Sequence, residues 1–169
     1  MEIEIQTILI SSGHNYYGRY GKGAEDYAVL EREEVELVAG SGIVEDRFFN
    51  YKEDYKGQIT FFSDATLEAV RDELGYKGAE FKDFRRNVIL KGVLAEELIG
   101  KVFRIGDLEF TGSCEAAPCF WMDQAVGEGT HEFLKGRGGL RARIKKGGIL
   151  KTGVHQLEIL GEIEIDNSK

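Results

Sequence analysis

Chemistry concentrates in one stretch of this chain. Residues 114–122 read Cys-Glu-Ala-Ala-Pro-Cys-Phe-Trp-Met and hold both cysteines, the only proline and the only tryptophan of 169 residues. The thiolate is the form of cysteine that acts as nucleophile, sulfur acceptor or soft-metal ligand, and a nearby helix N-terminus or cation favours it. Pro118 suits a first helical position, where its missing N–H costs nothing. A short helix starting there puts Cys119 in the first turn, where the dipole favours a thiolate. The competing expectation is that both cysteines are small buried hydrophobes beside Phe120, Trp121 and Met122.

Cations gather in two further places. Arg85-Arg86-Asn87 precedes the apolar run Val88-Ile89-Leu90, and two guanidinium forks beside an amide at a strand entrance suit the grip of an oxyanion. From Lys135 to Lys151 the chain carries seven basic residues and no acid, which leaves 15 basic against 30 acidic residues elsewhere. A concentrated basic segment in a protein of net charge −8 points to a local site for a small anion, and away from a nucleic-acid surface. Asp46 beside Arg47 reads as a turn with a local surface ion pair, which stabilises little. His14 has no second histidine or carboxylate at metal-ligand spacing and is expected to be a surface group.

The elements that must hold these residues are mostly strands. Glu2–Ile10 alternates and then turns apolar, Val35–Val38 and Gln58–Phe62 are β-branched or aromatic runs, and Val102–Ile105 with Leu108–Phe110 flanks a Gly106-Asp107 turn. In the basic segment Leu140, Ala142 and Ile144 alternate with Arg141, Arg143 and Lys145, so three cations share one strand face. A last strand is expected over Leu157–Ile165. Between them, Ser63 followed by Leu67, Val70, Leu74 and Gly75 predicts one amphipathic helix over Asp64–Leu74. Shorter helices are expected over Leu94–Ile99, from Pro118 to about Val126, and from a Thr130 cap to Leu134. Ser11–Glu25, rich in glycine and tyrosine, reads as a long loop. Short strands, few helices and 22 glycines predict a β-rich, mixed α+β fold. A barrel is favoured over a sandwich because few strands look like exposed edges.

Length predicts a single domain over 1–169. Hydrophobic content of 42% with 31% charged residues fits a globular protein. No apolar run reaches the length of a membrane span, and the acidic start is unlike a signal peptide, so a cytoplasmic protein with reduced thiols is expected.

The order of these pieces resembles the MOSC family, named for the C-terminal domain of molybdenum-cofactor sulfurases. Gly42–Arg47 is similar to the family's Gly-Ile-x-Gly-Asp-Arg, with Glu45 in place of the glycine. Gln58-Ile59-Thr60 resembles its following strand, and Arg86-Asn87-Val88-Ile89-Leu90-x-Gly92 its Asn-centred strand. Pro118-Cys119 resembles its cysteine, and Gly136-x-Gly138-Gly139-x-Arg141-Ala142-Arg143-Ile144 with Gly147-Gly148 its glycine-and-arginine finish. Val154 stands where the family usually has Asp. The resemblance implies a MOSC-type β-barrel in which Cys119 carries sulfur as a persulfide or ligates molybdenum. Arg47, Arg86, Asn87, Arg141 and Arg143 would bind the phosphate of a molybdenum–pterin cofactor or another small anion. The implied partner is a cysteine-desulfurase-type sulfur donor. The alternative is a small molybdenum-dependent oxidoreductase for N-hydroxylated compounds, supplied by a separate electron-transfer protein.

Overall fold

The computed structural model describes residues 1–13 and 28–163. His14, most of the expected Ser11–Glu25 loop and the end of the expected last strand lie outside them. The strands are β1 (Glu2–Ile10), β2 (Leu30–Arg32), β3 (Glu34–Val38), β4 (Gly42–Ile43), β5 (Ile59–Ser63), β6 (Val88–Lys91), β7 (Lys101–Ile105), β8 (Leu108–Glu115), β9 (Leu140–Lys146), β10 (Gly148–Lys151) and β11 (Gly153–Glu162). The helices are α1 (Asp64–Glu73), α2 (Trp121–Ala125) and α3 (Thr130–Phe133), with 3-10 turns at Phe81–Phe84 and Ala95–Leu98.

Seven strands close a barrel in the order β11-β7-β8-β9-β5-β6-β1, sealed where β1 pairs antiparallel with β11. Only the β5–β6 step is parallel. Closure removes the sheet edges within the ring, as the sparse edge signals predicted. β2 extends from β1, and β10, β3 and β4 form a separate three-stranded sheet. The alternation expected of β9 holds: Leu140, Ala142 and Ile144 are buried in the barrel, where Phe103 stacks on Phe110 and Phe61 meets both edge-on, with centroids 5.3–5.9 Å apart. Arg141 and Arg143 therefore stand on the outer face.

A second apolar cluster covers that outer face beside β5 and β6. Phe62 and Ile89 point away from the barrel interior and meet Leu67 and Val70 of α1, Phe84, Met122 and Leu134. Met122 and Leu134 thus tie α2 and α3 to the barrel wall, each buried side chain contributing about 1.5–3 kcal/mol.

Four local expectations are corrected. The helix after Pro118 starts at Trp121, so Pro118 and Cys119 precede it and the first-turn dipole argument does not apply to Cys119. Thr130 is the first residue of α3 and Gly129, at φ 89°, precedes it; the Thr130 hydroxyl donates to the Gly127 carbonyl. Ser63 precedes α1, but its Oγ accepts from the Ala95 N–H at 2.7 Å instead of capping the helix. The last strand starts four residues earlier than expected, at Gly153, which places His155 in the ladder opposite Ile3.

Candidate functional site

The site is built on the outer face of the β8–β9 ladder. Cys114 lies directly opposite Arg141 in that register and Thr111 opposite Arg143, and opposed residues of an antiparallel pair share a face. Arg143 Nε donates to Asp54 Oδ1 at 3.0 Å, its Nη2 to the Asp54 carbonyl at 3.1 Å, and its Nη1 to Ser113 Oγ at 3.2 Å. It fastens the segment after Arg47 to the barrel. Arg141 differs: its side chain makes no hydrogen bond or ion pair among the described residues. Its methylenes run beside Gly57, where a Cβ would meet Arg141 Cδ at 3.3 Å and the Tyr55 ring at 3.1 Å. Tyr55 is buried against Phe48 and Tyr51, with ring centroids 5.4 and 4.9 Å away. Burial raises the Tyr55 phenol's pKa, Arg141 opposes the shift, and Tyr51 and Cys114 add to it.

The strand entrance before β6 turns inward on the protein. Arg86 donates to three backbone carbonyls: Nε to Gly138 at 2.9 Å, Nη1 to Phe84 at 3.0 Å and Nη2 to Ala116 at 2.7 Å. Burial lowers its pKa to about 10 and Arg141 pushes the same way, while Cys119 and Glu115 hold the proton on and Arg47 repels it. It remains a cation at neutral pH.

Asn87 is buried. Its Oδ1 accepts from the Thr60 N–H and hydroxyl, both at 3.0 Å, and its Nδ2 donates to the Leu9 carbonyl at 3.0 Å. The amide therefore joins β1, β5 and β6 and is occupied there. Its Oδ1 and one Nδ2–H are thereby engaged within the sheet. Asp46 corrects an expectation. Far from forming a surface pair, it is 5% exposed and accepts from the Ser11 and Phe48 backbone N–H groups at 3.1 and 3.3 Å, with Arg47 Nη1 3.5 Å away. Arg47 also donates to the Arg85 carbonyl at 3.0 Å and lies 4.8 Å from the Phe48 ring centroid. Burial lowers its pKa against the pull of Asp46.

Cys119 is exposed, Cys114 is half-buried, and both are free thiols. The ladder ends at Ala116, whose N–H donates to the Gly139 carbonyl at 2.9 Å. Cys119 follows on a coil that leads to the buried Trp121 and Met122. Glycines make the approach on the other side: a Cβ at Gly138 would sit 2.2 Å from the Ala116 carbonyl oxygen and 2.9 Å from Pro118 Cδ. Glu115 Oε2 accepts from the Gly136 and Gly138 N–H groups at 3.0 and 3.1 Å, and Glu96 Oε1 from that of Gly139 at 2.9 Å. Two carboxylates thereby hold the glycine segment against the end of β8.

Of the residues singled out in the sequence, Arg141, Cys119 and Arg47 all act electrostatically on the buried Arg86. Asn87 is engaged within the sheet and Arg143 with Asp54 and Ser113. Sequence reasoning missed Tyr55, which sits among exposed neighbours with no periodic signal, and Glu115, whose place inside the cysteine stretch was the one available hint.

The model of the MOSC domain matches residues 46–156. The chain belongs to the MOSC domain family. Solved structures bear out its barrel. The YuaD protein of Bacillus subtilis superposes with a TM-score of 0.72 at 13% identity, covering 94% of this chain and 96% of that one. YiiM of Geobacillus stearothermophilus gives 0.65 at 13% identity over 94% and 75% of the two chains. YiiM of Escherichia coli gives 0.63 at 14% over 98% and 73%. At such identities the likeness concerns the fold. No curated protein matches the sequence. Among the described residues no helix is long and apolar enough to cross a membrane.

Proposed function

We propose that this MOSC domain binds a phosphorylated, molybdenum-bearing pterin or carries sulfur, with Cys119 Sγ as the reactive atom and Arg141 as the anion-binding cation. The supporting observation is an exposed thiol, Cys119, that acts electrostatically on Arg86 together with Arg141, whose donors are uncommitted among the described residues. A phosphate or persulfide anion there gains charge-assisted hydrogen bonds, which are stronger than neutral ones.

The residues fit such a group. Among the described residues no three His, Cys, Asp or Glu side chains converge on a metal ion. Cys119 would offer a metal one soft sulfur ligand from the protein. When bound, molybdenum supplies two-electron redox chemistry. The chain's own parts are distinct. Cys119 offers the sulfur. Arg141 orients the anion, while Arg86 ties Ala116 to Gly138 and contributes charge. Tyr55 and Phe48 give an apolar wall behind Arg141.

The test is purification of the intact protein under anaerobic conditions from a molybdate-supplied host, with metal and pterin quantified and Cys119 examined for persulfide by mass spectrometry. Cofactor or persulfide is expected in the wild type and absent in Cys119→Ser. Neither species on the wild type overturns the proposal.

A further inference from the structure

The small sheet β10-β3-β4 ends at β10, whose only ladder partner among the described residues is β3. Two bonds fix which of its backbone groups face outward. The Val44 N–H donates to the Glu36 carbonyl, so Glu36 turns its backbone groups toward β4, and the Thr152 N–H donates to the Glu33 carbonyl. Glu36 stands opposite Ile149 and Glu34 opposite Lys151, which makes both the non-hydrogen-bonded pairs of this antiparallel ladder. Ile149 and Lys151 therefore aim their N–H and C=O groups away from β3, at the open edge. His155 takes up one of the four, its Nε2 donating to the Lys151 carbonyl at 2.6 Å. The Ile149 N–H, the Ile149 carbonyl and the Lys151 N–H meet no partner among the described residues, and Ile149 is 52% exposed. A cleft of about 390 Å³ lies beside this strand, lined by the Gly106-Asp107 turn, Leu108, Lys146, Ile149 and His155.

We infer that β10 is a docking edge for an extended segment of a partner protein, which adds an antiparallel strand and carries an acidic residue two positions before an apolar one. The apolar residue pairs with Ile149 and exchanges both backbone bonds with it. The acidic residue stands opposite Lys151, whose N–H donates to its carbonyl, while the Lys151 carbonyl stays with His155. Strand addition draws affinity from main-chain hydrogen bonds and specificity from alternate side chains, and opposed residues share a face. Charge selects the occupant. Lys146 and Lys151 flank the open edge and are exposed. The acids Glu34 and Glu36 lie one strand further in, Glu109 stands opposite Lys146 in the barrel ladder, and Asp107 is on the turn that lines the cleft. A second copy of β10 is the occupant that any open edge invites, and lysines guard against it. A two-fold pairing about Ile149 sets Lys151 of each copy opposite Gly147 of the other, beside Lys146, so like charges meet at both ends of the seam. An acidic segment turns the same lysines into partners.

The test takes the full chain and the acetylated, amidated peptide Ser-Asp-Thr-Val-Thr-Val, whose first valine is set to face Ile149, and follows amide hydrogen exchange by NMR. At saturating peptide, exchange at Ile149 and Lys151 is expected to slow about tenfold or more, while Leu150, whose N–H already faces β3, changes little. Methylating the nitrogen of the first valine removes the donor to the Ile149 carbonyl and should weaken binding about tenfold. A peptide with lysine in place of the aspartate should bind about threefold more weakly or worse. Ile149→Pro deletes the outward N–H without breaking a ladder bond, a position where an edge strand tolerates proline, and should abolish the protection of Lys151 while Leu150 stays protected. Unchanged exchange at Ile149 and Lys151 overturns the proposal, as does undiminished binding of the methylated peptide or equal or tighter binding of the lysine peptide. Protection that grows with protein concentration alone assigns the edge to a second copy and overturns it too. The peptide arms decide the matter even if Ile149→Pro folds poorly.

Discussion

Two arginine-bearing segments, Arg85–Asn87 before β6 and Arg141–Arg143 on β9, look alike in sequence, each a cation cluster on an apolar strand. The folded chain uses them oppositely. At the first, Arg86 and Asn87 direct their donors to carbonyls of Gly138, Phe84, Ala116 and Leu9. At the second, one arginine is committed to Asp54 and Ser113, and its neighbour two residues earlier is not committed among the described residues. What separates them is the supply of acceptors. A barrel rim where strands end exposes carbonyls that a guanidinium fork can close, whereas mid-ladder carbonyls already belong to the sheet and leave the cation facing outward. Charge in the sequence thus marks both a frame and a site, and topology decides which is which.

The contrast is tested most severely at Asn87. Replacing it with alanine strands the buried Thr60 N–H and the Leu9 carbonyl, and unsatisfied buried groups each cost about 1–3 kcal/mol on top of the bonds lost. Asn87→Ala is therefore expected to destabilise the protein by roughly 3–5 kcal/mol in urea unfolding. A loss below about 1 kcal/mol would mean that the amide is not part of the frame.

Arg141 should behave in the reverse manner. Arg141→Gln is expected to leave stability within about 0.5 kcal/mol of wild type, as for surface changes that break no contact. Binding of inorganic phosphate, followed by calorimetric titration, should weaken roughly ten- to a hundredfold, the order expected for one charge-assisted bond of about 1.5–3 kcal/mol. Unchanged phosphate affinity, or a stability loss like that of Asn87→Ala, would erase the distinction between the two segments.

Much of the frame was legible because periodicity reports burial directly. β1 spans the residues expected, α1 ends one residue earlier than expected, and the alternation of Leu140, Ala142 and Ile144 with Arg141 and Arg143 fixes which face of β9 is wet. The site was legible in its residue types and not in their use. Pro118 promised a helix start, yet the helix begins at Trp121, because Trp121 and Met122 are the residues with apolar surface to bury and Pro118 is held instead against Gly138. Asn87 was read as a ligand because an amide beside two arginines suits an anion. Nothing local reveals that Thr60 and Leu9, distant in sequence, will meet it. Glu115 and Tyr55 were missed for the same reason, their partners Gly136, Gly138 and Arg141 being long-range.

The smallest effect concerns a residue that supports the framed segment from behind. Glu45 takes φ 75° where the family has glycine, a left-handed conformation that costs a non-glycine residue about 1 kcal/mol or somewhat more. The turn persists because its other holds are strong: Asp46 accepts two backbone N–H groups, the Arg47 N–H donates to the Ser11 carbonyl at 2.7 Å, and Arg47 Nη2 reaches the Arg85 carbonyl. Glu45→Gly removes the strain but loosens the unfolded chain by roughly 0.4–1 kcal/mol, so the net gain is expected to be only a few tenths of a kcal/mol. That corresponds to a rise in Tm of about 1 °C for a chain of this size. Glu45→Ala, which keeps the strain and removes the exposed carboxylate, is the control and should not raise Tm. If alanine stabilises as much as glycine does, the gain comes from the lost charge, and the turn before Arg47 holds no backbone strain to release.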